Sequence, residues 1–116
     1  MTAMPKHKTF RDKKYVASFK MPGEHKCLLT GAPMPDGAHI RYGFYGARMK
    51  PPDYFIVPIA HELHTLQHNI GEVRFWREWW WRVPDNYAPE TSFSDAALMG
   101  IIKDKARAYY NQWSER

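Results

Sequence analysis

Three of the six histidines in this chain fall within twelve residues, in the stretch VPIAHELHTLQH at 57–68. His61, His64 and His68 are spaced three and then four apart, which puts them on one side of a helix. Pro58 suits a first helical turn, so the spacing predicts a helix opening there and ending at Gly71. His64 and His68 stand one turn apart, the separation at which two imidazoles can share a divalent ion, as in H-E-x-x-H helices. Here the order is H-E-L-H, one residue short of that motif, so the metalloprotease reading fails. The bland alternative is a polar helix edge that happens to be rich in histidine.

Elements must exist to position such a helix. The segment FRDKKYVASFK carries Phe10, Tyr15 and Phe19 at near-helical spacing and predicts a short helix ending at MPGE. CLLTGAPMPDG is a run of turn signals. AHIRYGFYGARMKPPD opens as a brief strand and continues into a Gly- and Arg-bearing loop closed by two prolines. YFIVPI, rich in β-branched and aromatic residues, reads as a second strand. After the histidine helix, EVRFWREWWWRVP places Phe75, Trp76, Trp79 and Trp80 on one helical face, where large rings anchor a small core more readily than they stack on bases. Ser92 and Asp95 form a capping-box arrangement ahead of a last helix striped with Leu98, Ile101, Ile102, Ala106, Tyr109 and Trp113.

Composition bounds what these elements can do. A 116-residue chain with 44% hydrophobic and 16% aromatic residues suits one domain with a real core. Residues 1–9 read as a flexible basic N-terminus and 10–116 as a single domain. The apolar runs fall well short of the roughly 20 residues needed to cross a bilayer, and the start of the chain lacks an apolar secretory stretch. The expectation is therefore a cytoplasmic protein with no membrane partner. The single Cys27 excludes an intramolecular disulfide and an all-cysteine zinc site. The net charge of +5 is concentrated in residues 1–26, where Lys6, Lys8, Arg11, Lys13, Lys14, Lys20 and Lys26 face only Asp12 and Glu24. A basic segment on a neutral body points to a polyanion, most simply DNA, with Lys13 and Lys14 among the contacts. The alternative is a solvated tail that serves solubility.

A strand ending in histidine, a loop, a second strand and a histidine helix together resemble the HNH, or ββα-metal, nucleases encoded by phages and prophages. The stretch AHIRYGFYGARMKPPDYFIVPIAHELHTLQHNIGEVRFW carries the resemblance: Ala-His, an Arg- and Gly-rich loop, Lys-Pro-x-Asp, a strand and a histidine helix. It covers about residues 10 to 76. The implied fold is α+β, a ββα-metal core of two short strands and a His-bearing helix at about 37–71, with added N- and C-terminal helices. By the resemblance His39 is the general base that takes a proton from water, a task suited to an imidazole titrating near neutrality. Asp53 falls where the family orients that base or completes the metal site. His64 and His68 match the metal-binding helix positions, with His61 as an extra ligand or a DNA-facing side chain. Arg41, Arg48 and Lys50 lie in the loop where phosphate contacts are expected.

The implied function is a metal-dependent DNA endonuclease of nicking or non-specific type, using one divalent cation. Mg²⁺ and Mn²⁺ are the first candidates, followed by Zn²⁺ and Ni²⁺. The chain also departs from the family. Ala38 replaces the Asp or His that often precedes the base, and Leu63 replaces one member of a frequent His-His pair. Thr30 and Ala60 stand at the second and third cysteine positions of the family's zinc knuckle, so no structural zinc is expected. These departures leave open an HNH-fold DNA-binding accessory protein that has lost cleavage. A third reading is a small protein-interaction domain in which the C-terminal helix and the tryptophan segment form a dimer or partner surface.

Overall fold

The computed structural model describes residues 10–44, 50–82 and 94–115. Its elements are α1 (Lys13–Ser18), β1 (Asp36–His39), β2 (Ile56–Ile59), α2 (His61–Ile70), α3 (Glu72–Trp79), a 3-10 turn (Trp80–Arg82) and α4 (Asp95–Ser114). This is a mixed α+β arrangement around a two-stranded antiparallel sheet.

The sheet register is Asp36 with Ile59, Gly37 with Pro58, Ala38 with Val57 and His39 with Ile56. Just beyond it, the Ile40 amide donates to the Phe55 carbonyl at 2.8 Å. Antiparallel ladders alternate bonded and non-bonded pairs, so the Gly37–Pro58 pair falls at a non-bonded position. There the N–H that proline lacks would have pointed away from β1, and no ladder bond is lost. This corrects the expectation that Pro58 opens the helix: it lies within β2, which ends at Ile59, and α2 begins at His61 after Ala60. The Pro58 carbonyl accepts from the Leu28 amide at 2.7 Å, which ties the preceding turns to the sheet.

Side chains alternate across a strand, and here both faces are covered. Ala38, Ile40, Val57 and Ile59 join Phe75, Trp76, Trp80, Leu98, Met99, Ile102 and Ala106 in the larger core. Ile56, on the other face, packs with Tyr15 and Phe19 of the α1 region, flanked by Tyr109, Tyr110 and Trp113. Burial on both faces explains why β2 reads IVPI, without polar alternation. The first half of α4 lies in the larger core and its C-terminal half in the smaller one, so one helix fastens both. Its cap is Ser94, whose hydroxyl accepts from the Ala97 amide at 3.1 Å. The expected cap, Ser92, lies outside the described residues.

The tryptophans divide by position. Trp76 is fully buried and its indole N–H donates to the buried Gln67 Oε1 at 3.0 Å, so burial leaves no orphan donor. Trp80, in the 3-10 turn, is also buried, whereas Trp79 is half-buried and stacks on Phe75. Gly71, at φ 95°, takes the left-handed conformation that separates α2 from α3. Glu72 then accepts from the Arg41 and Tyr42 amides at 2.7 and 2.8 Å, fixing the chain as it leaves β1. Burial holds the Glu72 carboxyl above its ordinary range, and those two N–H groups offset this only in part.

Candidate functional site

His39 sits at the end of β1, on the face turned toward α1. Its Nε2 lies 2.9 Å from Asp53 Oδ1, and the hydrogen bond leaves Nδ1 as the ring's basic nitrogen. Asp53 is 3% exposed and gathers three donors. Arg11 Nη1 reaches Oδ1 at 2.9 Å, and the Asp12 amide reaches Oδ2 at 2.8 Å. Burial pushes the Asp53 carboxyl up, but the hydrogen bonds from His39, Asp12 and Arg11 outweigh it and hold the pKa below the usual value. The carboxylate is therefore charged and fixed, as an orienting partner for an imidazole must be.

The anchorage continues into the fold. Arg11 also donates to the Pro51 carbonyl, and the Asp53 amide donates to the Phe10 carbonyl, each at 3.1 Å. Asp12 caps α1 through the Tyr15 amide and accepts from the Tyr110 hydroxyl of α4 at 2.7 Å. Burial, then this bond to Asp12, pushes Tyr110 up to about 12. His39 is thus positioned by a chain of contacts running from the first described residues to the last helix.

The α2 histidines are held differently. His61 Nδ1 and His64 Nδ1 both approach Asp36 Oδ2, at 2.7 and 3.0 Å. His64 Nε2 then faces His68 Nε2 at 3.1 Å. Two nitrogens each about 2.1 Å from one ion stand about 3.0–3.4 Å apart for angles between a right angle and a tetrahedral one. The His64–His68 pair fits that spacing. Among the described residues no group of three or more His, Cys, Asp and Glu side chains is arranged to hold a metal ion, so the donor set in view is this pair. His61 is 76% exposed, with its Nδ1 engaged by the carboxylate. That hydrogen bond, and then the charge of Asp36, raise the His61 pKa.

His39, His64 and Asp36 line one cavity of about 250 Å³ between α1, β1 and α2. Val16, Phe19 and Ile56 supply its apolar wall, and Lys20 adds a cation. His68 lies outside this lining and meets the cavity only through His64.

Of the cationic residues singled out from the sequence, Lys13, Lys14, Arg41 and Lys50 are exposed. Arg48 lies outside the described residues. Cys27 is buried, and its sulfur accepts from the Ala60 amide at 3.1 Å. Two cavity residues escaped the sequence reading. In the sequence Asp36 is one of a run of turn signals, and Lys20 is one of seven cations in residues 1–26. The strand register could have found Asp36: its partner Ile59 is two residues ahead of α2, which sets the carboxylate beside the first helical turn.

No protein-family model matches the chain, and comparisons with curated proteins and with solved structures likewise find no match. Among the described residues no helix is long and apolar enough to cross a membrane.

Proposed function

We propose that this protein is a metal-dependent DNA endonuclease of the HNH, ββα-metal type, cutting phosphodiesters by nicking or without strong sequence preference. The observation that carries the reading is one cavity lined by both a carboxylate-oriented histidine, His39, and a helix histidine, His64, whose second nitrogen faces His68. The order of two antiparallel strands followed by the histidine helix agrees with the resemblance of the sequence.

In this reading His39 Nδ1 accepts a proton from water while its Nε2–H stays on Asp53. The water oxygen bonds to phosphorus, and the bond from phosphorus to the leaving oxygen breaks. Asp53 keeps the imidazole in the tautomer that leaves Nδ1 basic and favours the imidazolium that forms. His64 and His68 would hold a divalent ion, whose chemistry when bound is positive charge against the phosphate and the leaving oxygen. Lys20 supplies a fixed cation at the same cavity, and exposed Lys13, Lys14, Arg41 and Lys50 hold the backbone phosphates.

The test is nicking of supercoiled plasmid by the purified protein with Mg²⁺, Mn²⁺ or Zn²⁺. His39→Ala should lower the rate by about 10²–10⁴-fold and leave DNA affinity nearly intact. Equal cutting by wild type and His39→Ala removes the catalytic claim. Salt-sensitive DNA binding with no cutting under any of these ions assigns the protein to the binding-only class instead.

A further inference from the structure

Asp36 takes no part in the proton transfer just described, yet two of the three α2 histidines converge on one of its oxygens. Its side chain is 34% exposed, close enough to solvent for its removal to leave the fold standing. An ionised carboxylate only accepts hydrogen bonds, so both imidazoles must carry their proton on Nδ1 to satisfy these contacts. For His64 this has a consequence at the far side of the ring. With Nδ1 protonated, Nε2 carries the lone pair, and Nε2 is the atom 3.1 Å from His68 Nε2.

We propose that Asp36 is a positioning residue that presents His64 Nε2 to an ion shared with His68, and that the pair so formed selects a nitrogen-preferring divalent ion such as Zn²⁺ over Mg²⁺. The proposal rests on the reading that His64 and His68 hold an ion. A carboxylate behind a ligating imidazole fixes tautomer and ring angle and raises ligand basicity, the arrangement found behind many metal-bound histidines. His61, on the same oxygen at 2.7 Å, braces the carboxylate rather than ligating through the nitrogen it has given to Asp36. The choice of ion follows from the donors. Imidazole nitrogens suit zinc, nickel and cobalt, whereas Mg²⁺ demands oxygen ligands and dehydrates reluctantly. This reverses the order drawn from the resemblance alone, in which Mg²⁺ and Mn²⁺ came ahead of Zn²⁺ and Ni²⁺.

The experiment measures Zn²⁺ binding to the full chain by calorimetry, alongside imidazole ¹⁵N shifts that report which nitrogen of His64 is protonated. Wild type should bind Zn²⁺ and show His64 as the Nδ1–H tautomer. Asp36→Ala should lose about 10–100-fold in Zn²⁺ affinity and shift the His64 proton to Nε2. Asp36→Asn, which keeps an acceptor oxygen, should recover part of both signals, while His61→Ala should stay within about threefold of wild type in affinity. Mg²⁺ in about hundredfold excess should leave Zn²⁺ binding unchanged. Unaltered affinity or an unaltered tautomer in Asp36→Ala overturns the positioning role, and displacement of Zn²⁺ by Mg²⁺ overturns the ion preference. A wild-type protein that binds no Zn²⁺ at all overturns the ion site itself. That outcome is told apart because it appears before any substitution is made.

Discussion

The two walls of the cavity are built to different standards. On the β1 side, His39 leans on a carboxylate that is 3% exposed and has two further donors from Arg11 and Asp12. On the α2 side, His61, His64 and His68 depend on a single oxygen of a carboxylate that is one-third exposed, and on each other. The first arrangement is over-determined, because losing one contact leaves the rest in place. The second can rotate at little cost. A group that must take a proton from a defined direction gains from the first kind of wall. Ligands that must close around an ion gain from the second, since the ion itself completes their order.

The contrast can be broken most directly at Asp53. Asp53→Ala should lower stability by about 3 kcal/mol, at the lower end for a buried charged partner because Arg11 is itself partly solvated. The midpoint of urea unfolding reads this. A loss under about 1 kcal/mol would mean that the β1 wall is no firmer than the other.

The sign is reversed at a neighbouring ring. Among the described residues Tyr15 Oη, on the helix that Asp12 caps, is buried without a hydrogen-bond partner. Tyr15→Phe should stabilise the protein by about 1 kcal/mol by removing that desolvated hydroxyl, and thermal melts measure it. A destabilised variant would show that the hydroxyl is satisfied in solution.

The two walls should also differ in their response to pH. Both rest on a carboxylate held below its ordinary range, Asp53 and Asp36, and the α2 side adds in His61 a group held above its own. Asp53 has a folded pKa below its unfolded one, so its contribution is complete above about pH 4 and fades as pH falls through the folded value. Asp53→Asn should flatten the acid limb of the stability profile. His61 has a raised folded pKa, so its contribution is present below about pH 6.5 and disappears as pH rises through the folded value. The His61 limb should be the weaker, since that ring is exposed. An acid limb left unchanged in Asp53→Asn would assign it to Asp36 and remove the distinction between the walls.

The smallest effects belong to α2. Without a bound ion, replacement of His61 or His68 by Ala should leave the unfolding midpoint essentially unmoved, because exposed side chains with one partner contribute little. Unfolding midpoints in chelator measure this. A larger loss would mean that the histidine face is part of the structural framework.

The order of elements was legible in the chain because each depends on local chemistry. The β-branched and aromatic run of FIVPI, the three-four spacing of the histidines, the stop at Gly71 and the stripe of α4 are all signals contained within one element. Boundaries were less legible. Pro58 suits a helix start as well as a strand position whose N–H points outward, and only the pairing with Gly37 decides between them. Ser92 carries the right side chain for a cap, as Ser94 does, and the cap is the one whose hydroxyl reaches the Ala97 amide.

By itself, then, the sequence determined which residues are available for the proposed chemistry: imidazoles on one helix face, a histidine closing a strand, an aspartate after paired prolines, and a basic beginning. Tertiary structure alone decided their partners. Asp53 meets His39 across the hairpin loop, Asp36 meets His64 because the register sets β1 beside the first turn of α2, and Arg11 returns to Asp53 from 42 residues away. The physical reason is range. Helical and strand periodicity are set by neighbours a few residues apart, whereas the direction of a proton on an imidazole is set by whichever carboxylate the closed fold brings to it.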